Sequence, residues 1–530
     1  MSPRPSTSRH TLGQWLTDRA RRDPAAIAIE ARHERMTYGE LRRRAVALAA
    51  HLLGSGLGPG DRVATVTEND PDQVALFFAS ALARLVLVPL NRRLTPAELR
   101  AELEVVDPAL VAAGAAHADD VATAVRSSTV APGVCRLEDL RAASVTDSSA
   151  GGLGDLEALA PEVRDEDPLL VVFTSGTTGR AKGAVLNHAN CFWTNLSLDG
   201  AVPLTAEDVV LQVLPQHHVG GWNVQPLQAW WKGATVQLEP VFEPDRVLHL
   251  VERRRVTTMM GVPTMYLMLA EEPGFAGADL SSLRFVVVGG AAMPPELLEI
   301  WVRRGVDVFQ GYGLTEASPN VLCLDARDAA RYPGCVGRPY SYVDVELRDP
   351  EGLRIEGDGV GELWVSGPNV FAGYWGDPAA SAEAISAGWL ETGDLAERDA
   401  HGVFRICGRV KDVFVSGGEN VYPAEVEAVL REHPRIGDAA VVGVADRRWG
   451  EVGWAFVEQR GGEALSEQEV IDYCRARLAG FKVPREVVVM ERIPHLDTGK
   501  VDKRRLTVVA SDRTAAGERA QPAPPRRRAR

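Results

Sequence analysis

The 530-residue sequence predicts an α/β fold, with a large N-terminal domain of mixed sheets and helices and a small C-terminal α+β domain. The length is too great for one ordinary hydrophobic core, so two or more domains are expected. Segments typical of helices and strands alternate as far as about Val111, which is the pattern of a parallel sheet with crossover helices. Near the C-terminus, residues 413–507 combine short strands and helices, which predicts a compact second domain.

Composition and charge narrow the class of protein. Average apolar content and 25% charged residues are typical of a soluble globular chain, and the net charge of -14 argues against general binding to nucleic acid or membrane surfaces. The six scattered cysteines lack paired or metal-ligand spacing, which favours free thiols and a cytoplasmic location. The N-terminus lacks the apolar segment of a secretory signal. The most apolar stretch is interrupted by Ser80, Arg84 and Pro89, so no membrane span is expected.

The N-terminal elements can be predicted in order. Helical spacing of apolar residues predicts a helix over Leu12–Arg22, and an apolar segment predicts a strand over Ala26–Glu30. Thr37, followed three residues later by Glu40, forms the capping box that begins a second helix. Arg62–Val66 is the next predicted strand.

Later segments are predicted in the same way. Residues 142–155 are rich in Ser, Gly and Asp and are expected to form a loop. Pro423 is placed in the first turn of a helix. Ser466 and Glu469 have capping-box spacing and begin another helix. The sequence loses periodicity after Val508, which predicts a disordered basic tail.

A loop rich in Gly, Thr and Ser follows the predicted buried strand Leu169–Phe173. Its glycines let the backbone approach a ligand closely, and its hydroxyl groups and the Lys182 ammonium can contact phosphate oxygens. It is not a Walker A loop, because two residues separate Gly176 from Gly179 and Gly183 follows the lysine. Taken alone, the loop could equally be a flexible surface hairpin. The residues assigned to phosphate binding are Thr174, Ser175, Gly176, Thr177, Thr178, Gly179 and Lys182.

Two further predicted strands end in Gly-rich turns. The strand Leu283–Val288 is followed by small residues at 289–292, which leave space for a planar ring against the backbone. The strand at 306–309 is followed by the segment 310–316. Ligands of open α/β sheets collect at such strand ends, although each turn could also be an ordinary tight turn. The segment ends at Glu316, whose carboxylate is a hard oxygen ligand of the type that suits Mg²⁺, although a lone Glu after a Gly-rich turn could also be a solvated surface residue.

These motifs, in this order, resemble those of the adenylate-forming superfamily, which contains acyl- and aryl-CoA synthetases, adenylation domains of peptide synthetases, and luciferases. The resemblance implies that Tyr312 stacks on adenine, Thr315 contacts the α-phosphate and Glu316 holds Mg²⁺. It also implies that Asp394 binds both ribose hydroxyls and that Arg409 reaches the ribose and phosphates. The other nucleotide contacts that it implies are Gly289, Gly290, Ala291, Gln310, Gly311 and Gly313.

The resemblance covers nearly the whole chain and implies its domain organisation. Residues 12–408 are expected to form the adenylation domain, and residues 413–507 the mobile C-terminal domain. Residues 409–412 are the expected hinge, with Lys411 at the pivot. Residues 1–11 and 508–530 are expected to be disordered ends.

The segment Pro215–Trp222 is similar to the family segment that lines the carboxylate pocket. His218 matches the family histidine and is assigned a catalytic role. His217 stands where an aromatic residue is usual and Gln216 where an apolar residue is usual, which favours a small, polar or aromatic acid. The remaining pocket residues are expected to be Gly220, Gly221 and Trp222. A metal site at the two histidines lacks a nearby carboxylate or thiol at ligand spacing. Alternatively, the Gln216 and His217 side chains are both held by backbone hydrogen bonds and select nothing.

The resemblance implies a two-step ligase that uses ATP, Mg²⁺ and CoA. A small-molecule carboxylic acid is first converted to an acyl-adenylate, and Lys500 is expected to bridge the carboxylate and the α-phosphate. After rotation of the C-terminal domain, Gly417 and Gly418 are expected to line the tunnel that admits CoA. Other acceptors stay open: a carrier protein, or an aryl amine if the enzyme is a diazotase that activates nitrite. A luciferase-like oxygenase or a non-catalytic nucleotide sensor is less consistent with the intact motifs.

Overall fold

The computed structural model describes residues 10–147, 162–174, 181–416, 419–446, 449–461, 464–496 and 500–520. The chain divides by compactness into two units. The first contains Met1–Glu346, Trp364–Thr392 and Gly402–Phe404, and the second contains Leu347–Leu363, Gly393–His401 and Arg405–Arg530. The predicted α/β class, with a separate C-terminal domain, is confirmed. The predicted boundary at residue 408 and the hinge at 409–412 stay predictions.

Strands occur along the whole described chain, and in its N-terminal half they alternate with helices. The strands are β1 (Ile27–Glu30), β2 (Arg35–Thr37), β3 (Arg62–Val66), β4 (Val86–Pro89), β5 (Leu110–Ala113), β6 (Gly133–Arg136), β7 (Pro168–Thr174), β8 (Lys182–Asn187), β9 (Val209–Gln212), β10 (Thr235–Leu238), β11 (Thr258–Gly261), β12 (Phe285–Val288), β13 (Asp307–Tyr312), β14 (Leu322–Leu324), β15 (Arg338–Pro339), β16 (Asp344–Arg348), β17 (Arg354–Ile355), β18 (Gly359–Ser366), β19 (Ile385–Ser386), β20 (Trp389–Arg398), β21 (Phe404–Arg409), β22 (Phe414–Ser416), β23 (Glu419–Val421), β24 (Ile436–Asp446), β25 (Gly450–Gln459) and β26 (Glu486–Met490).

The helices of the described residues are mostly short, and many begin at a proline. They are α1 (Leu12–Arg22), α2 (Tyr38–Gly54), α3 (Pro71–Ala83), α4 (Pro96–Val106), α5 (Ala118–Arg126), α6 (Leu137–Asp147), α7 (His188–Asp199), α8 (Gly220–Asn223), α9 (Pro226–Lys232), α10 (Pro244–Arg254), α11 (Pro263–Glu271), α12 (Pro295–Arg303), α13 (Ala326–Ala329), α14 (Pro378–Ala384), α15 (Pro423–Arg431), α16 (Glu467–Arg475) and α17 (Lys503–Ala520). Proline suits a first turn because its missing N–H has no partner there in any case.

Local sequence signals account for several helix starts. The predicted capping box at Thr37 and Glu40 is confirmed at the start of α2. Pro423 begins α15, as predicted. The Ser466 side chain accepts a hydrogen bond from the Glu469 N–H and caps α16. Each cap satisfies backbone donors that the helix cannot pair internally.

The first unit contains two large sheets. The first sheet has the strand order β6-β5-β3-β4-β7-β8, in which β7 and β8 form an antiparallel hairpin. The second has the order β15-β14-β13-β12-β11-β9-β10-β1-β2 and is parallel from β13 to β1. Gly261 of β11 is opposite Val288 of β12, and Val288 is opposite Gln310 of β13. The carboxyl ends of these three strands are therefore level with one another.

Two further sheets follow. One has the order β17-β16-β18-β20-β19, with β21 also paired to β20. The sheet of the C-terminal residues has the order β23-β22-β25-β24, with β26 parallel to β25. Its core packs Phe414, Val441, Val457 and Cys474 together. Within the described part of the chain, no helix is both long and apolar enough to cross a membrane.

Three segments differ from expectation. The predicted disordered tail is wrong for residues 508–520, because α17 continues to Ala520. Leu506 and Ala510 on this helix are buried against Phe456 and Val488, so tertiary packing supplies the apolar contact that a tail would lack. Residues 521–530 lie outside the described residues.

The other two differences are smaller. The predicted loop at 142–155 begins later than expected, because α6 extends to Asp147, and residues 148–161 lie outside the described residues. At the N-terminus, His10 and Thr11 are placed rather than disordered. The His10 Nδ1 atom lies 2.8 Å from an Asp165 carboxylate oxygen, and Thr11 is buried. Residues 1–9 are not described.

Candidate active site

The β7–β8 hairpin places two predicted phosphate-binding residues side by side. Thr174 ends β7, Lys182 begins β8, and the two are direct partners in the antiparallel register. The loop that connects them, residues 175–180, lies outside the described residues. The predictions for Ser175, Gly176, Thr177, Thr178 and Gly179 therefore fall on residues that the structure does not describe.

Glu316 lies beside this hairpin. Thr315 begins a single 3₁₀ turn that carries the glutamate, and the main-chain oxygen of Glu316 accepts a hydrogen bond of 2.9 Å from the Phe371 N–H. The Thr174 hydroxyl lies 3.5 Å from Glu316 Oε1. The structure therefore brings together Thr174, Lys182 and Glu316, which are far apart in the sequence but were predicted to share a site.

Tyr374 completes this group and was missed by the sequence analysis. Its hydroxyl donates a hydrogen bond of 2.8 Å to Glu316 Oε1, and the Lys182 Nζ atom lies 4.9 Å from the centroid of its ring. The tyrosine is placed there by backbone pairing with β8: the Trp375 N–H donates to the Gly183 oxygen at 2.8 Å. The aromatic pair at 374–375 between two glycines was a possible but weak signal.

The carboxyl ends of β12 and β13 form a close-packed backbone surface. A Cβ atom on Gly289 would lie 2.8 Å from the Met260 side chain, and Gly290 has a positive φ of 80°. At Gly313 a Cβ atom would collide with the main-chain oxygen of Pro319. These contacts explain the small residues at this edge, and they are compatible with the predicted packing of a planar ring.

Gln310 is largely held by protein groups. Its side-chain oxygen accepts a hydrogen bond of 3.1 Å from the Met293 N–H. Its Nε2 donor is buried and has no hydrogen-bond partner among the described residues. Gly311 and Tyr312 follow on the same strand, and both are partly exposed. Nucleotide contacts of Gly289, Gly290, Ala291, Gln310, Gly311, Tyr312 and Gly313 stay predictions.

Two residues of the predicted acid pocket serve the core. The Trp222 side chain is fully buried, its Nε1–H donates to the Gln216 oxygen at 2.6 Å, and its ring stacks on Phe77 at 4.8 Å between centroids. Gln216 is 2% exposed, and its side-chain oxygen accepts a hydrogen bond of 3.2 Å from the Asp70 N–H. Both side chains hold the segment in place, and the influence of Gln216 on the choice of acid stays a prediction.

His217 and His218 are adjacent and tilted, with ring centroids 4.4 Å apart. Burial, and then the neighbouring His218, lower the pKa of His217 to about 2, so its imidazole is neutral at physiological pH. A neutral ring at this position presents an aromatic surface together with one donor and one acceptor. In the described residues, no group of three His, Cys, Asp or Glu side chains could hold a metal ion.

Gly220 and Gly221 differ in how much space surrounds them. A Cβ atom on Gly221 would lie 2.5 Å from the Pro215 main-chain oxygen, so this position requires glycine. A Cβ atom on Gly220 would meet Leu214 at 3.4 Å and Met260 Sδ at 4.0 Å, which are ordinary contacts. Met260 thus lies near both Gly220 and Gly289 and connects the histidine segment with the end of β12.

The second unit brings together the two predicted ribose-binding residues. Asp394 is on β20 and Arg409 ends the neighbouring strand β21, and the Arg409 Nε atom lies 2.6 Å from Asp394 Oδ1. Asp394 is 6% exposed. An Arg–carboxylate hydrogen bond of this kind is charge-assisted and orients the carboxylate strongly.

Lys500 is exposed at the end of a short turn of the second unit. Its main-chain oxygen accepts a hydrogen bond of 2.7 Å from the Leu496 N–H, and residues 497–499 lie outside the described residues. Lys411 is exposed in a 3₁₀ turn, Val410–Asp412. Gly417 and Gly418 are not described, so their predicted place in a CoA tunnel stays a prediction.

Comparison with known proteins identifies the family. The model of the AMP-binding enzyme family matches residues 16–375, and that of the AMP-binding enzyme C-terminal domain matches residues 425–500. This chain belongs to the AMP-binding enzyme family. The predicted resemblance to the adenylate-forming superfamily is confirmed, and the chain is an AMP-forming ligase of the acyl-CoA synthetase type. The cofactors of this class are ATP, Mg²⁺ and CoA.

Similar proteins cover nearly the full length of this AMP-binding enzyme. Feruloyl-CoA synthase of an Amycolatopsis species is 41% identical over 93% of this chain and 97% of its own length. ATP-bound MatB from Rhodopseudomonas palustris has a TM-score of 0.87 at 31% identity and covers 95% of this chain and 99% of its own. O-succinylbenzoate-CoA synthetase from Bacillus subtilis, in complex with ATP and magnesium, has a TM-score of 0.81 at 28% identity, over 93% and 98%.

The described residues fit a Mg²⁺ ion that is shared with a nucleotide. Glu316 supplies one carboxylate, and the Thr174 hydroxyl lies beside it. Mg²⁺ usually takes one or two protein carboxylates and completes its coordination with water and substrate phosphates, so a single glutamate is a sufficient protein contribution. In the described part of the chain, no Lys, Arg or His nitrogen lies within 4.0 Å of the Glu316 carboxylate.

Proposed function

We propose that this enzyme ligates an aromatic carboxylic acid to CoA through an acyl-adenylate. The observation that carries the proposal is that Glu316 lies beside the β7–β8 hairpin, close to Thr174 and Lys182. This hairpin flanks the loop that is assigned to phosphate binding. An opposite pair of unneutralised charges suits a nucleotide with its divalent cation. The aromatic acid is supported by the neutral His217 ring, which lies beside His218, and by the relatives that are named for feruloyl-CoA and o-succinylbenzoate-CoA synthesis.

In the first step, an oxygen of the substrate carboxylate forms a bond to the α-phosphorus of ATP. Pyrophosphate leaves with the electron pair of the broken P–O bond. Two anions must approach each other, so positioned positive charge contributes most to the rate. Lys182 is assigned to the phosphate oxygens and Lys500 to the carboxylate and α-phosphate. When it is bound on Glu316, Mg²⁺ supplies further positive charge to the phosphates.

In the second step, the thiol of CoA forms a bond to the acyl carbon and loses its proton, and AMP leaves with the electron pair of the broken C–O bond. Asp394 and Arg409 are assigned to the ribose of the nucleotide. Lys411 is assigned to the hinge about which the C-terminal residues rotate between the two steps. His218 is assigned to the acid pocket beside the neutral His217.

The test is AMP release from MgATP with a panel of acids, with and without CoA. The panel contains ferulate, indole-3-acetate, 2-succinylbenzoate, a long-chain fatty acid and nitrite, and hydroxylamine is added separately to trap any acyl-adenylate. The proposal expects the aromatic acids to give most AMP, with CoA accelerating release and thioester formed. Strong activity with the fatty acid alone would overturn the aromatic assignment. AMP release that CoA leaves unchanged would instead favour a carrier protein or an amine as acceptor.

A further inference from the structure

Tyr374 contacts both charged groups of the candidate nucleotide site. Its hydroxyl donates a hydrogen bond of 2.8 Å to Glu316 Oε1. Its ring lies under the Lys182 ammonium, with 4.9 Å between Nζ and the ring centroid. A cation over an aromatic face within about 6 Å is attracted by the ring quadrupole. One side chain therefore stabilises a cation on its face and an anion at its edge.

Lys182 and Glu316 do not contact each other. Among the described residues, no carboxylate oxygen lies within 4.0 Å of Lys182 Nζ, and Glu316 has no cationic partner at that distance. Two opposite charges at one half-buried place would attract each other and form a direct ion pair if nothing separated them. Such a pair would neutralise both groups before a nucleotide arrived.

The backbone holds Tyr374 independently of these charges. Its N–H donates a hydrogen bond of 2.8 Å to the Ser381 hydroxyl, which in turn donates to the Asp377 oxygen at 2.7 Å. Tyr374 also forms an isolated β-bridge with Ala184, and its ring packs edge-on against Phe371 with 4.9 Å between centroids. The ring position is therefore preset, and it can act as a spacer rather than follow the two charges.

We propose that Tyr374 is a positioning residue that holds Lys182 and Glu316 apart, so that the ammonium is kept for the nucleotide phosphates and the carboxylate for Mg²⁺. The inference rests on the proposed function, which assigns those ligands to the two groups. The phenol O–H is the donor and the Glu316 carboxylate the acceptor of this hydrogen bond. The hydrogen bond occupies one carboxylate oxygen and fixes the orientation of the other.

Two substitutions separate the two contacts. Tyr374→Phe keeps the ring under Lys182 and removes the hydrogen bond to Glu316. Tyr374→Leu removes both contacts and lets the lysine approach the glutamate. The matched control is Tyr38→Phe, which deletes a buried hydroxyl that donates to the Ala234 main-chain oxygen at 2.6 Å, outside the candidate site.

The measurement is the dissociation constant for ATP, by calorimetry, with Mg²⁺ and with EDTA. Tyr374→Phe is expected to reduce the gain in ATP affinity that Mg²⁺ provides by about tenfold, because a hydrogen bond to a charged group is lost. The affinity for ATP without Mg²⁺ should stay within about twofold of that of the unmodified protein. Tyr374→Leu is expected to weaken both affinities, and Tyr38→Phe neither. In a double-mutant cycle, Tyr374→Phe should cause no further loss in the Glu316→Gln background, because it acts through that carboxylate.

Several results would overturn the inference. Equal losses of Mg²⁺-dependent and Mg²⁺-free binding in Tyr374→Phe, or additive losses with Glu316→Gln, would make Tyr374 a general structural residue. If Tyr374→Phe binds MgATP as tightly as the unmodified protein and the Tyr38→Phe control do, Tyr374 has no role in positioning Glu316 for Mg²⁺. If the unmodified protein shows no Mg²⁺-dependent ATP binding, the proposed function itself fails, together with the inference, and this outcome is distinct from the others.

Discussion

The Arg409 Nε atom lies 2.6 Å from the Oδ1 atom of Asp394, on two neighbouring strands of the second unit. Because arginine stays charged at all relevant pH values, this contact fixes the orientation of a largely buried carboxylate. Such a carboxylate is well suited to accept hydrogen bonds from vicinal hydroxyl groups. The relationship makes the predicted ribose contact testable.

Asp394→Asn is expected to reduce the preference of the enzyme for ATP over 2′-deoxyATP by about tenfold, since the charge that strengthens a hydroxyl hydrogen bond is lost. The measurement is kcat/KM for both nucleotides in AMP release. Asp279→Asn, an exposed carboxylate paired with Arg255, is the control. If Asp394→Asn keeps the full preference for ATP, the ribose assignment is wrong.

Lys500→Ala is expected to slow adenylation by about 10²–10³ and to leave thioester formation from supplied acyl-adenylate nearly unchanged, because only the first step brings two anions together. Pyrophosphate release and thioester formation are measured separately. Lys232→Ala removes a lysine that is paired with Asp199 at 2.8 Å and serves as the control. Equal loss of both half-reactions would contradict the role given to Lys500.

Gly221→Ala is expected to destabilise the protein by about 1–3 kcal/mol, because the added Cβ atom would lie 2.5 Å from the rigid Pro215 main-chain oxygen. Gly220→Ala is the matched control, since its Cβ atom would meet Leu214 at 3.4 Å. Thermal and denaturant unfolding of both variants provide the measurement. Equal unfolding midpoints for the two variants would show that the segment at 215–221 relaxes easily.

Glu102→Gln is expected to remove a pH dependence of stability. Glu102 is buried on α4, and burial, with a smaller effect of Glu98, raises its pKa from 4.5 to about 8. A raised pKa means that the folded state binds more protons, so the contribution to stability is present below about 4.5 and is lost as pH rises toward about 8. The unmodified protein should lose about 2–3 kcal/mol of unfolding free energy between about pH 5 and pH 7 from this group.

Denaturant unfolding at both pH values provides the measurement for Glu102. The glutamine variant should show a smaller loss and should be the more stable protein at the higher pH. Glu104→Gln, on the exposed side of the same helix, should retain the pH dependence of the unmodified protein. If Glu102→Gln and the unmodified protein change in parallel with pH, the carboxyl is charged in the folded state.

Several parts of the fold could be predicted because their signals are local. The capping box at Thr37 and Glu40 and the proline at the start of α15 each involve residues within one helical turn. The family could be predicted for a related reason, since each motif is a short run of residues with a definite chemistry. The run that ends at Glu316 is one example.

The errors arose where distant residues decide the outcome. The C-terminal segment lacked a periodic pattern strong enough to predict α17, and burial of Leu506 against strands of the same unit stabilises that helix. The partner of Gln216 is also distant, because its amide oxygen accepts a hydrogen bond from the Asp70 N–H, 146 residues away; its influence on the choice of acid stays a prediction. Neither partner can be identified from the neighbouring sequence.

By itself, the sequence determined the α/β class, the family, the chemistry of the nucleotide motifs and the start of several helices, because these depend on residue types and on short-range backbone geometry. The tertiary structure decided which of those residues meet. Tyr374 lies between Lys182 and Glu316 because its segment pairs with β8, and sheet pairing depends on hydrogen bonds between segments that are nearly 200 residues apart. No local pattern encodes such a contact, so the spacer at the site was visible in the folded chain alone.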